Sequence, residues 1–187
     1  SEIDKYAIQV TQKNYPDTIQ IGDVNDIDFT KYTNSELLLG GSPCTFWSIA
    51  KQGREIDKNG IGWKLFSRYI DALKIVKPTY FLYENVASMP ETIKNFISEE
   101  FGCEPIMIDS QLVSAQQRKR LYWTNIPRVE QPEDKGILLK DIVEGEGIRV
   151  DSEKSLAIIA SIGRTTLREY FMKNQGQMIF VDKDKSY

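Results

Sequence analysis

The sequence predicts an α/β fold whose sheet is doubly wound and mostly parallel. Short apolar runs typical of buried strands alternate along the chain with longer stretches of helical periodicity. Turn and helix-stop signals such as Tyr15-Pro16-Asp17 and Lys77-Pro78 separate the two kinds of segment. The 187 residues, 41% of them hydrophobic, are enough for a domain with a substantial core.

The first half of the predicted fold holds two helices and two strands. In order, these are a helix over residues 5–14, a strand over 18–21, a strand over 36–39 and a helix over 62–77. The last helix is predicted because apolar residues recur three and four positions apart until Lys77-Pro78 stops the pattern. The second strand is a short apolar run that ends in Gly40-Gly41, where the backbone gains unusual freedom.

The second half continues the alternation. Its predicted elements are a strand over 80–83, a helix over 90–101, strands over 105–108 and 121–123, a helical turn over 139–143 and a strand over 178–181. Pro90 begins the helix and Gly102 caps it. The strand over 80–83 is rich in aromatic residues, which favour strands.

Composition excludes several classes of function. The chain has no histidine, so a Cys-His or Ser-His-Asp hydrolase cannot be built within it. Cys44 and Cys103 form neither a disulfide framework nor a zinc-ligand spacing, and no metal site is predicted. No apolar run approaches the ~20 residues that cross a bilayer and no signal peptide is visible, so we expect a cytoplasmic protein. The net charge of −3 argues against a general polyanion binder, although local patches can still bind nucleic acid.

Cys44 and Glu84 each follow a predicted buried strand closely. The carboxyl ends of parallel strands line up on one edge of a sheet, so the fold would place these two side chains side by side. A thiol and a carboxylate without histidine suit chemistry in which the carboxyl moves the proton. Two structural roles compete with this one: Cys44 as a small buried hydrophobe, and Glu84 as a cap for the following helix.

Two polar stretches add further candidates. Residues 49–60 form a loop with Gly53 and Gly60, which suits either a lid that moves or an ordinary surface loop. Residues 110–129 contain Arg118, Arg120 and other basic residues but no acid. This stretch suits either an anion-binding surface beside the cysteine or a solvated basic edge.

Three motifs in order resemble the DNA cytosine-5 methyltransferase family. Gly41-Ser42-Pro43-Cys44 resembles its nucleophile loop, Glu84-Asn85-Val86 its acid motif and Gln116-Gln117-Arg118-Lys119-Arg120 its Gln-x-Arg-x-Arg motif. The neighbouring residues are closest in character to the vertebrate de novo branch and its bacterial or phage look-alikes. The resemblance implies a Rossmann-like methyltransferase core over residues 1–128. A linker and the start of a target-recognition region would then occupy residues 129–187.

The resemblance also implies a mechanism of DNA methylation. The target cytosine is flipped out of the duplex, and Cys44 adds to its C6 atom. Glu84 binds the N3 edge and stabilises its protonation, so that C5 can take the methyl group of S-adenosylmethionine. Arg120 would bind cytosine O2, and Arg118 would support the site. No metal is needed.

Further residues are assigned by the same resemblance to ligand binding. On the DNA side these are Ser48, which would bind a phosphate, Asn85 and Gln116. On the side of S-adenosylmethionine they are Glu2, Ile3, Asp23, Val24, Pro43 and Leu65. Glu2 would accept from the ribose hydroxyls and Asp23 from the adenine amino group, with Ile3 and Val24 on the two faces of the adenine.

The chain departs from the family pattern at both ends. The family's first strand and Gly-rich cofactor loop should precede Ser1, and its late motifs should follow the 129–187 region. The departures predict a central fragment, a split-enzyme subunit or a degenerate relative. We expect the chain alone to hold the cofactor weakly and not to transfer methyl groups. They also predict self-association, or pairing with a complementing chain, through an open sheet edge.

Other functions remain as alternatives. The main rival is a catalytically inactive relative that binds DNA or acts as a scaffold. A redox or regulatory thiol protein is disfavoured because neither cysteine lies in a Cys-x-x-Cys pair. A setting in a restriction–modification system, a phage or an orphan gene stays open, as does the DNA sequence recognised.

Overall fold

The computed structural model describes residues 1–145, 148–150, 152–156 and 179–181. Their helices are α1 (Lys5–Asn14), α2 (Ile61–Val76) and α3 (Glu91–Phe101). Their strands are β1 (Leu37–Gly40), β2 (Tyr80–Val86), β3 (Ile106–Asp109), β4 (Lys119–Thr124), β5 (Ile148–Val150) and β6 (Ile179–Val181). Strands β1 to β4 form one sheet in the order β1-β2-β4-β3, and β5 pairs antiparallel with β6. Strand β1 pairs parallel with β2 across α2, which confirms the predicted α/β class.

One predicted strand is wrong. Residues 18–21 have no regular secondary structure, and the side chain of Ile19 is 84% exposed. This short stretch, Thr18-Ile19-Gln20-Ile21, lies between the turn at Pro16 and Gly22, which has a φ of +79°, so little chain is left to enter a sheet. In contrast, β2 is longer than predicted, because Glu84 and Asn85 continue the alternation of partly and fully buried side chains.

The core lies where α2 and α3 pack with β2 and β4. Phe66 of α2 is fully buried, and its ring meets that of Tyr83 in β2 at a centroid distance of 5.2 Å. Trp123 of β4 and Ile93 of α3 are also fully buried. Each such side chain contributes about 1.5–3 kcal/mol to the free energy of folding by leaving water. This mainly aromatic core therefore stabilises the packing of α2 and α3 with β2 and β4.

The helix ends follow local signals in the sequence. Gly102 ends α3 with a φ of +68°, and its N–H donates to the carbonyl of Ser98. Lys77 ends α2 in the left-handed region, with a φ of +49°, directly before Pro78. Both stops lie within a residue of their predicted positions.

The chain divides into two compact units. The first contains residues 1–106 and 121–129, and the second contains residues 107–120 and 130–187. In the second unit, the predicted helical turn is a short 3₁₀ turn over Leu139–Asp141, and the predicted last strand is β6. Met178 and most of the predicted target-recognition region lie outside the described residues. Within the part of the chain that is described, no helix has the length and apolar character needed to cross a membrane.

Candidate active site

The end of β1 packs tightly against Glu84. The parallel register pairs Gly40 with Tyr83, so Gly41 lies opposite the next residue of β2. A Cβ atom on Gly41 would lie 2.8 Å from the backbone oxygen of Glu84 and 3.3 Å from its Oε2. Any side chain there would have to displace the backbone of β2, so a glycine is needed for this close approach. The loop that leads to Cys44 therefore starts beside the carboxyl group of Glu84.

Cys44 begins a short 3₁₀ turn that is held in place by backbone hydrogen bonds and by the buried side chain of Trp47. Its carbonyl accepts hydrogen bonds from the backbone N–H groups of Trp47, at 3.1 Å, and Ser48, at 2.8 Å. The side chain of Trp47 is fully buried, whereas Cys44 is partly buried against the same core. A Cβ atom on Gly62 would lie 3.0 Å from the Trp47 ring, so α2 also begins in contact with this turn. The anchoring holds Cys44 and Ser48 in one turn at the edge of the sheet.

A buried polar network joins the same loop to β2. The hydroxyl of Tyr83 lies 2.6 Å from Ser42 Oγ and also accepts from the Ser42 N–H at 3.4 Å. Asn85 donates from Nδ2 to the Ser42 carbonyl at 3.2 Å and to the Tyr83 hydroxyl at 3.3 Å. Tyr83 and Asn85 are fully buried. Burial raises the pKa of Tyr83 to about 12, although the hydrogen bonds to Ser42 and Asn85 oppose the shift, so the hydroxyl keeps its proton at neutral pH.

Tyr83→Phe is expected to destabilise the protein by about 1–2 kcal/mol, because it removes only the hydroxyl and leaves buried polar partners incompletely bonded. Urea denaturation measures the change. The matched control is Tyr6→Phe, since the Tyr6 side chain is 63% exposed on α1. Equal unfolding midpoints for Tyr83→Phe and wild type would show that the network does not hold the loop.

The loop over residues 49–60 is anchored in its second half. Arg54 donates to the carbonyl of Ser88 at 2.6 Å. Glu55 accepts from the first backbone N–H groups of α2, those of Ile61 at 2.9 Å and Gly62 at 3.0 Å. A carboxylate at a helix N-terminus satisfies donors that have no partner within the helix. Residues 49–53, by contrast, are exposed, so we expect a lid movement of the loop to involve these residues.

In the second unit, a compact loop carries Gln116 and Arg118. The carboxylate of Asp109 accepts from the backbone N–H groups of Gln111, at 3.1 Å, and Arg118, at 2.9 Å. Ser110 Oγ donates to the carbonyl of Gln116 at 2.8 Å. Asp109 is 95% buried, so these bonds form away from solvent. They fix the backbone at Gln116 and Arg118, within the segment over residues 116–120 that we call the basic segment. The side chain of Arg118 is exposed.

One cavity of about 680 Å³ in the first unit gathers the residues assigned to the cofactor. All six line it: Glu2, Ile3, Asp23, Val24, Pro43 and Leu65. Gly41 and Ser42 line it as well, so the cavity reaches the loop that precedes Cys44. Two carboxylates together with apolar side chains can hold a ligand that has hydroxyl and amino donors around a flat ring.

Arg68 holds one wall of this cavity. Its Nη2 donates to the carbonyls of Val24, Asn25 and Ile27 at 3.3 to 3.4 Å, and its Nη1 bonds Asp71 at 3.0 Å. The 3₁₀ turn after Asp23 is thereby tied to α2. Spacing along the chain does not indicate this role, because the arginine lies 41 to 44 residues after its partners.

The candidate residues thus fall into two groups. Cys44, Ser48, Glu84 and Asn85 are in the first unit, with the cavity of the cofactor residues. Gln116, Arg118 and Arg120 are in the second unit. Three residues that hold the site were not predicted from the sequence: Tyr83, Glu55 and Arg68. Each bonds backbone groups and belongs to none of the motifs. For Tyr83 alone there was a signal, since the ends of the two predicted strands were expected to be neighbours.

The chain matches known proteins along most of its length. Residues 1–176 match the family described as C-5 cytosine-specific DNA methylases. The orphan methyltransferase M.Rho11sI of Bacillus phage rho11s is 33% identical over 188 residues, which covers 93% of this chain and 34% of that protein. The orphan methyltransferase M.SPRI of Bacillus phage SPR is 36% identical over 136 residues, with coverages of 65% and 30%. The chain therefore spans about a third of the length of these curated relatives.

Solved structures with a similar fold are more distant in sequence. DNMT2 of Spodoptera frugiperda aligns with a TM-score of 0.59 at 19% identity, over 92% of this chain and 68% of that chain. A protein encoded within a prophage of E. coli aligns with a TM-score of 0.52 at 20% identity, over 66% and 38%. These likenesses confirm the predicted fold.

Proposed function

Because the chain belongs to the C-5 cytosine-specific DNA methylase family, we propose that it carries out methylation of cytosine at C5 in double-stranded DNA as part of a complete or split enzyme. The observation that carries the proposal is the close approach of Gly41 to Glu84, which starts the Cys44 loop beside a carboxyl group. Nucleophilic addition to cytosine needs a thiolate on one side of the ring and a proton donor at its N3 edge. The chain supplies both from adjacent strand ends.

The proposed reaction is covalent catalysis by Cys44. With the target base flipped out of the duplex, the thiolate forms a bond to C6 while Glu84 stabilises the proton at N3. The electrons of the C5–C6 double bond move to form a double bond between C4 and C5, and those of the C4–N3 double bond take the proton at N3. The product is an enamine in which C5 is nucleophilic. After methylation, loss of the proton from C5 restores the double bond and expels the thiolate of Cys44. Nucleophile and ring are therefore both regenerated without a metal ion.

The cavity beside the Cys44 loop fits S-adenosylmethionine, which supplies the methyl group when bound. Glu2 would accept hydrogen bonds from the ribose hydroxyls, and Asp23 from the adenine amino group. Ile3 and Val24 would pack on the adenine, with Leu65 and Pro43 on the remaining wall. The presence of both acids and the apolar residues in one cavity of about 680 Å³ supports this assignment.

On the DNA side, the proposal assigns separate roles to the two arginines. Arg120 would bind cytosine O2, and Arg118 would support the site from its exposed position in the basic segment. Ser48 would bind a phosphate beside the flipped nucleotide, and Asn85 and Gln116 are also assigned to the DNA side. A cytoplasmic location is part of the same proposal. Self-association, or pairing with a complementing chain, stays a prediction.

Methyl transfer can be tested directly. The chain, as part of the complete or split enzyme, is incubated with S-adenosylmethionine carrying a tritiated methyl group and a duplex of mixed cytosine-containing sequence. We expect label in 5-methylcytosine after digestion of the DNA, and none in a matched duplex whose cytosines are already methylated at C5. Binding of both duplexes without incorporation of label would instead support the catalytically inactive, DNA-binding alternative.

Arg118→Ala and Arg120→Ala are expected to differ in the salt dependence of DNA binding. Loss of a phosphate contact lowers the slope of log affinity against log salt by about one counterion, whereas loss of a base contact leaves the slope nearly unchanged. We expect the lower slope for Arg118→Ala, because its side chain is exposed, and an unchanged slope for Arg120→Ala. Fluorescence anisotropy at several salt concentrations measures both. Wild-type slopes for both variants would show that neither arginine touches phosphate.

A further inference from the structure

Lys154 is bonded to three backbone carbonyls, which lie on two separate stretches of the second unit. Its Nζ donates to the carbonyls of Gln111 at 2.7 Å, Ser114 at 3.2 Å and Ile137 at 2.6 Å. An ammonium group has three protons, and each of these has an acceptor here. The side chain is partly buried, so water competes less for these bonds than it would at an exposed lysine. One charged group thus fastens the loop after β3 to the stretch at residue 137.

The neighbours of Lys154 extend this attachment. The N–H of Ser155 donates to the carbonyl of Ala115 at 2.7 Å, and its carbonyl accepts from the N–H of Gln117 at 2.8 Å. These bonds form a parallel bridge between Ser155 and Gln116. On the other side, the carbonyl of Glu153 accepts from the N–H of Leu139 at 2.7 Å. The three residues 153–155 therefore lie alongside the basic segment like a short strand.

The loop held in this way is the one that carries Gln116 and Arg118. Ser114 links the lysine to Gln116. The carbonyl of Ser114 accepts from Lys154, and Ser114 Oγ accepts from the N–H of Gln116 at 3.2 Å. Asp109 fixes the N–H of Arg118 from the opposite side of the loop. The backbone position of both motif residues thus depends on two buried or partly buried charged groups.

We propose that Lys154 is a positioning residue for the segment over residues 114–118. The inference rests on the proposed function, in which Gln116 and Arg118 act on the DNA side of the site. It adds that a residue beyond the linker, 36 to 40 positions later in the sequence, sets the backbone from which these two side chains extend. The region expected to recognise the target would then also hold the arginine segment in place.

Hydrogen–deuterium exchange tests the positioning directly. In Lys154→Met, which keeps the length of the side chain and removes the ammonium group, amides over residues 114–118 should exchange about tenfold faster or more. The rest of the chain should exchange at wild-type rates. The matched control is Lys140→Met, because Lys140 is exposed in the same unit. Unchanged exchange over 114–118, or an equal increase throughout the second unit, would overturn the proposal.

A second variant covers the case in which Lys154→Met does not fold. Lys154→Arg keeps the charge, but a planar guanidinium cannot direct its protons to the same three carbonyls. We expect Lys154→Arg to fold, and its amides over residues 114–118 to exchange faster than those of wild type. Wild-type exchange in Lys154→Arg would show that the geometry of the lysine is not needed, which contradicts the proposal.

A functional measurement separates positioning from general stability. On DNA containing 5-fluorocytosine, Lys154→Met should form the covalent complex at least about tenfold more slowly, because misplaced binding groups slow the chemistry strongly. Its DNA affinity should fall by a smaller factor than the trapping rate, since the arginines are still present on the same segment. Faster exchange with a wild-type trapping rate would overturn the positioning role. If wild type itself is not trapped, the proposed function fails, while the exchange result still decides whether Lys154 holds the segment.

Discussion

In the complete or split enzyme, Cys44→Ser is expected to abolish covalent trapping on a duplex that contains 5-fluorocytosine, while Cys103→Ser retains it. Fluorine at C5 cannot leave as a proton, so the bond between the thiol and C6 persists after methylation and survives denaturation. A serine hydroxyl is a far weaker nucleophile at neutral pH than a cysteine thiol. The measurement is a band of reduced mobility on a denaturing gel, in the presence of S-adenosylmethionine.

Cys103 is a suitable control because its surroundings differ. It follows the glycine that ends α3 and is partly buried against the core. Burial raises the pKa of the Cys103 thiol, and Glu104 raises it further, so less thiolate is present near neutral pH. Equal trapping through both cysteines, or trapping that persists in Cys44→Ser, would contradict the assignment of Cys44 as the nucleophile.

The parts of the fold that could be predicted are those with strong local signals. Helix α2 shows a long apolar period and a stop at Lys77-Pro78, and α3 lies between Pro90 and Gly102. Both were predicted within a residue of their bounds. The false strand over 18–21 had two isoleucines alternating with polar residues, but it pairs with no strand of the described fold, and Ile19 remains exposed. A short run alone cannot distinguish a strand from an exposed connection.

For the candidate site, the sequence predicts residue types and order but not the contacts that hold them. The motif Gly-Ser-Pro-Cys names Ser42, yet only the parallel register of β1 with β2 brings the Tyr83 hydroxyl to it across 41 positions. Likewise, Lys154 reaches Gln111 across 43 positions. Such bonds depend on which strands and loops become neighbours, and they carry no fixed spacing along the chain. The roles assigned to the motif residues themselves remain predictions.

The sequence predicts the two glycines at the end of β1 correctly as special positions, but for a different physical reason from the one found in the structure. Gly40 and Gly41 were noted for backbone freedom, but neither has a positive φ. The constraint is space: a side chain on Gly40 would meet the ring of Tyr69, and one on Gly41 would meet the backbone of Glu84. The Tyr69 hydroxyl in turn donates to the carbonyls of Leu38 and Leu82, one on each strand. Close approach of β1 to β2 and α2 is therefore what these two positions require.

Glu84→Gln is expected to lower the rate of methyl transfer about 10²- to 10⁴-fold, the range that general acid–base groups contribute. Glutamine has nearly the same shape, and its amide can still donate a hydrogen bond to N3. It has no proton to transfer, however, so formation of the enamine that makes C5 nucleophilic loses its proton donor and becomes slower.

Single-turnover rates of tritium incorporation, measured beside DNA affinity, separate chemistry from binding. For Glu84→Gln, the affinity should stay within about twofold of wild type while the rate falls, because only proton transfer is lost. The matched control is Glu99→Gln, the same change at an exposed position on α3, which should leave both quantities unaltered. A wild-type rate in Glu84→Gln would show that cytosine is activated without this carboxyl. Joint loss of rate and affinity in Glu84→Gln would instead assign Glu84 to holding the loop of Cys44.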